Sequence, residues 1–288
     1  MATPLKKLTH FFQTHPVFTF DEASQFLTER GTAHRGTQKA LLSYHQKRGR
    51  LLRVRRGLYV TVPKAGSAKL HRPDPFLVAS KLAPDAVLAY HTALEFHGCA
   101  YSYSYETTVL TQAHLRPFSF RGRSYRSLPP PVVLSRQRQP WFGVQTMDYR
   151  GLAGTTVPVR VTSVERTLVD VLDRPDLGGG WEEIWRSLAM IERLDWESLL
   201  AYTRLLGNAT TAAKVGFFLS QHQEELQAPG RVLKDLGSLR PGQVHYLDRK
   251  TRTEDNELSR EWNLVVPRLV AGRAWEDLPW DDARSEDQ

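Results

Sequence analysis

The chain has 288 residues, 41% of them hydrophobic and 24% charged, which are globular values that exclude wholesale disorder and collagen-like repeats. Its one cysteine, Cys99, excludes a disulfide framework and a multi-cysteine zinc site. The net charge of +8 is uneven: residues 1–64 hold 12 Lys and Arg against 3 Asp and Glu, residues 65–160 hold 11 against 5, and residues 161–288 hold 16 against 23. A basic first quarter suits a polyanion partner, and the acidic last part suggests a second task. No run approaches the roughly 18 apolar residues of a membrane span, and residues 1–15 lack the apolar core of a signal peptide, so a cytoplasmic location without membrane attachment is expected.

Leu5, Leu8, Phe11 and Phe12 stand at helical spacing and predict a short helix ending near His15-Pro16. Thr19 or Asp21 can open a second helix with Ala23, Phe26 and Leu27 inward, closed by Gly31. A third helix is predicted from about His34 to Arg48, with Ala40, Leu41 and Tyr44 facing inward and Gly49 ending it. The segments 51–54 and 58–62 then read as two strands about an Arg55-Arg56-Gly57 turn, stopped by Pro63. Three helices and a basic hairpin, in this order, make a winged helix-turn-helix. Such a module sets its third helix in the DNA major groove and its wing against phosphates or the minor groove. The candidate DNA-binding residues are therefore His34, Arg35, Thr37, Gln38, Lys39, Ser43, Lys47 and Arg48 on the helix and Arg53, Arg55 and Arg56 on the wing. Tyr59 is expected to pack beneath the wing.

The predicted organisation is α+β: a winged helix over 1–63, a linker over 64–73, and a larger mixed α/β domain with a helical segment over 74–288. In that domain, residues 75–82 and 92–97 read as helices and 86–90 as a strand. Residues 107–111, 118–126, 143–147 and 156–161 are β-rich, and Pro129-Pro130-Pro131 is a stiff connector. Thr162-Ser163-Val164-Glu165 matches a capping box opening a helix with Leu168, Val169 and Leu172 inward. Gly178-Gly179-Gly180 reads as a hinge before a helix over 181–193. Asp195 caps another through Leu206, and 209–226 make a third. Residues 243–247 and 262–266 read as strands around a polar stretch over 248–259, and the acidic residues 280–288 as a frayed end.

No catalytic constellation emerges, and neither a metal nor another cofactor is expected. His91 and His97 lie six apart, off a common helical face. Cys99 near His97 lacks a third group for nucleophilic chemistry. Asp170, Asp173 and Asp176 are the carboxylates to consider for a cation, and Asp248-Arg249-Lys250 faintly echoes a nuclease element. These two features motivate the alternative of a DNA-targeted nuclease or nucleotide-modifying enzyme. A ligand-responsive regulator is a further alternative, since sensor pockets leave little trace in sequence.

Three stretches, taken together, resemble one family. They are Arg55-Arg56-Gly57-Leu58-Tyr59, then Tyr90-His91-Thr92-Ala93-Leu94-Glu95-Phe96-His97-Gly98, and then Val161 through Asp170 with Thr162-Ser163-Val164-Glu165-Arg166-Thr167 at its start. Their order and spacing are similar to those of the AbiEi antitoxins of bacterial abortive-infection toxin–antitoxin systems. The resemblance implies a winged helix that binds double-stranded operator DNA and represses its own operon, and a larger C-terminal domain needed for antitoxin activity. It implies as partner an AbiEii-type nucleotidyltransferase toxin, neutralised in the type IV manner without a stable complex. His91, Glu95, Glu165, Arg166 and Asp170 match family motif positions and are the antitoxin candidates.

Overall fold

The computed structural model describes residues 4–63, 66–151, 154–248 and 255–274. The side chain of Leu5, residues 64–65 of the expected linker, Arg249 and Lys250, and the acidic residues 280–288 lie outside the described residues. In chain order the elements are α1 (Pro4–Thr14), β1 (Val17–Thr19), α2 (Phe20–Thr28), α3 (Arg35–Lys47), β2 (Leu51–Arg55), β3 (Leu58–Thr61), α4 (Pro75–Ser80) and β4 (Val87–Leu88). There follow α5 (His91–His97), β5 (Glu106–Leu110), β6 (Phe118–Phe120), β7 (Arg123–Leu128), α6 (Val132–Arg136), β8 (Val144–Arg150), β9 (Thr156–Thr162) and α7 (Val164–Asp173). The last are α8 (Trp181–Ala189), α9 (Trp196–Leu206), α10 (Ala209–Gln221), α11 (Gly230–Leu239), β10 (His245–Tyr246), β11 (Asn256–Ser259), β12 (Leu264–Pro267) and α12 (Arg268–Ala271). The fold is mixed α and β, opening with a winged helix.

By compactness the chain divides into two units, each assembled from several segments. The first comprises Met1–Leu88, Tyr105–Pro129 and Gln145–Val161, so the winged helix shares it with most of a six-stranded sheet. The helices α1 to α3 close over Leu8, Phe11, Phe12, Phe18, Ala23, Leu27 and Leu42. Phe11 meets Phe18 edge-on at 5.1 Å between centroids. Thr19 caps α2 in a reciprocal capping box with Glu22, satisfying backbone donors that the first turn leaves open. The expected hairpin is present as β2 and β3. A third strand, β1, joins it as the sheet β1-β3-β2, with Val17 opposite Val60 and Thr19 opposite Leu58. Three residues are too few to show a period, so β1 left no mark in the pattern. Tyr59 stacks on Phe18 at 5.7 Å, beneath the wing as expected.

The six-stranded sheet runs β6-β7-β5-β4-β9-β8. The β-rich stretch over 118–126 is a hairpin, because Arg121 and Gly122 both take positive φ, 54° and 82°, the geometry of a two-residue primed turn. Arg121 donates from that turn to the carbonyls of Ala68 and Lys69, pinning the segment after the wing.

The second unit comprises Ala89–Ser104, Pro130–Val144 and Thr162–Gln288. Its core is helical: α7 buries Leu168, Val169, Val171 and Leu172, and α8 to α10 bury Ile184, Trp185, Leu199, Tyr202 and Phe218. Three short strands, β10-β12-β11, form a small sheet in which β11 occupies part of the stretch read as polar loop. The helices α6 and α11 were not anticipated. The glycine triplet is a packed turn: a Cβ at Gly178 would sit 2.7 Å from Ile184, and one at Gly179 would sit 2.7 Å from Glu183. The expected capping box over residues 162–165 is also corrected. Ser163 is the cap, accepting from Arg166 N, whereas Glu165 accepts from the backbone N of Asp195 at 2.9 Å. A shift of one residue moves the glutamate from the third to the second helical position, where it faces α9.

Candidate nucleic-acid interface

Helix α3 has two faces with different chemistry. Its inward stripe is Gln38, Leu42 and His45, one turn apart, and not Ala40, Leu41 and Tyr44 as the sequence suggested. Ala40 and Tyr44 are exposed, and Leu41 is half-buried. Gln38 was expected to meet DNA, but it is 1% exposed. Its amide accepts from Ser24 Oγ at 2.7 Å and donates to Thr28 Oγ1 at 3.1 Å and to the Thr32 carbonyl at 2.8 Å. A glutamine at an inward position was indistinguishable by type from an outward one. His34 is the N-cap and accepts from Thr37 N at 3.4 Å. Both residues are exposed at the helix start, while Lys47 and Arg48 are exposed at its end, with Arg48 5.4 Å over the Tyr44 ring.

The outward stripe is Arg35, Lys39, Ser43 and Gln46. These four share a cleft of about 1030 Å³ with Arg53, Arg56 and Gly57 of the wing, all within the first unit. Gly57, at φ 80°, closes the two-residue turn that brings Arg56 there. Arg55, the third wing arginine expected to meet DNA, does not line the cleft. Its guanidinium lies 5.5 Å from the Phe118 ring centroid, on the six-stranded sheet, and its Nη1 is buried. The cleft's acids are Asp21, 3.5 Å from Arg35, and Glu22, bonded to Lys81 Nζ. Burial alone would raise the Glu22 carboxyl, but bonds from Lys81 and Thr19 outweigh it and hold the group below its ordinary range. Gln46 and Lys81 were missed by sequence reasoning. Gln46 lies 11 residues after Arg35, a helical phase that marks it, whereas Lys81 reaches the cleft only through the fold.

A basic helix face and a basic wing about one cleft are the form of a DNA-reading winged helix, and the family model that matches the chain covers that form. Residues 6–62 match the family described as transcriptional regulator, AbiEi antitoxin. The AbiEi match thus takes in the cleft's α2, α3 and wing residues and stops before α4. No curated protein matches the chain. Among solved structures, the crystal structure of RV2827C protein from Mycobacterium tuberculosis is similar over 92% of this chain and 92% of its own, at 19% identity and a TM-score of 0.58. That likeness is one of fold.

Beyond the AbiEi match, the second unit brings four of the five remaining candidates into two clusters, while Glu165 bonds the backbone of Asp195. His91 is 6% exposed and lies between two carboxylates, Glu183 at 3.0 Å from Nε2 and Glu95 at 3.4 Å from Nδ1. Tyr90, the residue before it, takes φ 56° and ψ −134°, a strained backbone that opens α5 at His91. The same carboxylates hold the loop after α5: Glu183 accepts from Ser102 N and Oγ, and Glu95 accepts from Ser104 N at 2.7 Å. Arg166 and Asp170 form the other cluster. Arg166 Nε donates to Asp170 Oδ2 at 3.2 Å, and Tyr202 donates to Asp170 Oδ1 at 2.5 Å. Arg166 and Asp170 are 0% and 2% exposed, so this is an internal brace.

The carboxylates considered for a cation do not converge. Asp170 faces Arg166, Asp173 accepts from Thr211 and Asn208, and Asp176 meets Arg174. Among the described residues no group of three His, Cys, Asp or Glu is placed to hold a metal ion. His97 pairs through Nε2 with the Thr162 carbonyl at 2.7 Å, and burial pushes the Cys99 thiol up, away from the thiolate a nucleophile needs. No described helix is long and apolar enough to cross a membrane.

Proposed function

We propose that this chain is a DNA-binding autorepressor and antitoxin, acting without chemistry of its own in the cytoplasm. It binds the operator of its own toxin–antitoxin operon through α3 and the wing and opposes a nucleotidyltransferase toxin through its C-terminal part. The observation that carries the DNA half is the alignment of Arg35, Lys39, Ser43 and Gln46 with Arg53 and Arg56 about one cleft. A helix stripe of this kind supplies groups for base edges, and the wing arginines supply phosphate contacts. The toxin half rests on the family match and on the acidic charge of residues 161–288.

The test is binding of the full chain to duplex DNA from immediately upstream of its own gene, against a scrambled duplex, across a salt series. The native duplex should bind more tightly, and Arg53→Ala with Arg56→Ala should reduce the salt slope by about 1.8, two phosphate contacts' worth. Equal and weak binding to both duplexes would sink the operator reading. Co-purification with the neighbouring toxin at low and physiological salt separates action by contact from action without a stable complex.

A further inference from the structure

Lys81 follows α4, nineteen positions beyond the end of the family match, yet it lines the same cleft as Arg35, Lys39, Arg53 and Arg56. Its ammonium is bonded to Glu22 Oε1, with side chains 27% and 34% exposed. Glu22 has a separate duty on its other oxygen. Oε2 accepts from Thr19 N at 2.7 Å and from Thr19 Oγ1 at 3.2 Å, completing the α2 cap. The cap therefore stands without Lys81. Glu22 also keeps a bonded oxygen if Lys81 turns away.

The energies favour exchange. A partly exposed ion pair is worth little, because water screens it and two long side chains are ordered to make it. A lysine moved onto a DNA phosphate instead releases a condensed counterion, which is the main source of affinity for duplex DNA. Asp21, beside Arg35, repeats the arrangement with the neighbouring acid of the same helical turn.

We infer that Lys81 is a DNA-phosphate ligand contributed from outside the winged helix, held by Glu22 until duplex DNA enters the cleft. The inference rests on the DNA-binding reading above. Glu22 masks the cation from polyanions that approach loosely, and only a duplex seated against α3 and the wing brings a phosphate close enough to take it.

The experiment is titration of the native upstream duplex across a salt series with the full chain and six variants. Lys81→Gln should lower affinity several-fold and shrink the salt slope by about 0.9, while Lys81→Arg should keep the slope. Lys234→Gln, on α11 in the second unit, changes net charge equally and should leave the slope alone. Glu22→Gln preserves the capping box and should tighten binding; that gain should shrink when Lys81→Gln is added. A full gain in the double variant would mean simple repulsion by Glu22 and overturn the masking. An unaltered slope in Lys81→Gln, with Arg53→Ala/Arg56→Ala still weakening binding, overturns the Lys81 assignment alone. If the arginine pair has no effect either, the DNA-binding reading falls with it.

Discussion

His91 and Glu183, 92 residues apart in sequence, meet at 3.0 Å in the second unit. Burial opposes the imidazolium, but hydrogen bonds and charges from Glu183 and Glu95 outweigh it and push His91 up to about 9. Burial likewise opposes the Glu183 carboxylate, and bonds from His91, Ser102 and Ser187 hold it at about 2. A raised histidine stabilises the fold fully below its unfolded value near 6.5 and loses that contribution as pH rises through about 9. Glu183 contributes above about 4.5 and loses it as pH falls through about 2. Raising the pH from about 6 to about 10 should therefore weaken this unit by up to about 3 kcal/mol. Amide exchange at Ser102 and Ser104 should accelerate over the same range. His91→Gln should flatten the dependence; an unchanged profile would remove His91 as its source.

His45 predicts the opposite trend for the winged helix. Its ring is 0% exposed, set edge-on to Phe12 at 5.0 Å, and both ring nitrogens lack hydrogen-bond partners among the described residues. Burial and the nearby Arg50 charge lower its pKa, so the folded form holds it neutral. That contribution is intact above the unfolded value near 6.5 and is lost as pH falls below it. Protection factors of the α3 amides, with the intrinsic pH dependence of exchange divided out, should fall between about pH 7 and about pH 5, and His45→Leu should abolish the fall. The same acid sensitivity in His45→Leu would exclude this residue as the cause.

Gln38 ties α3 to α2 and to the turn after it. Gln38→Leu would leave Ser24 Oγ and the Thr32 carbonyl without their Gln38 partner, a loss of about 1–3 kcal/mol of unfolding free energy, read from a lowered urea midpoint. DNA affinity should then fall in parallel for all sequences as the module loosens. A changed base preference at unchanged stability would instead put Gln38 on the DNA.

Arg55 should separate from its neighbours. With its guanidinium over Phe118, Arg55→Ala should leave the DNA salt slope unchanged and reduce stability by about 0.5–2 kcal/mol, the scale of a partly desolvated cation–π contact. Parallel salt series for Arg55→Ala and Arg56→Ala decide this. Equal drops in slope would place both on phosphates.

Gly216 is a matter of volume. A Cβ there would lie 2.0 Å from the Trp262 ring, which is 1% exposed and donates from Nε1 to Ser220 Oγ at 3.1 Å. Gly216→Ala should therefore destabilise the second unit by about 1–3 kcal/mol or more, despite the better helix propensity of alanine. Tryptophan emission during urea unfolding reads it directly. A stabilised variant would show that the Trp262 ring can shift to make room.

The winged helix was legible from sequence because its cues are local. Apolar spacing over 8–27, Gly31 and Gly49 after their helices, and a glycine turn between short β-rich runs each act within a few residues of where they stand. The basic charge of residues 1–64 likewise needs no coordinates, since the field of a small module follows from its composition. What only tertiary structure decided are properties set by partners distant in the chain. The phase of α3, which buries Gln38 and turns Lys39 outward, depends on what α2 presents to it. The sorting of Arg55 from Arg53 and Arg56 depends on Phe118, and the presence of Lys81 in the cleft depends on where α4 ends. The motif residues His91, Glu95, Arg166 and Asp170 are legible as a group, but their place as buried braces comes from Glu183 and Tyr202. A charge pattern is a sum over residues, whereas a side chain's environment is a product of contacts between segments far apart in sequence.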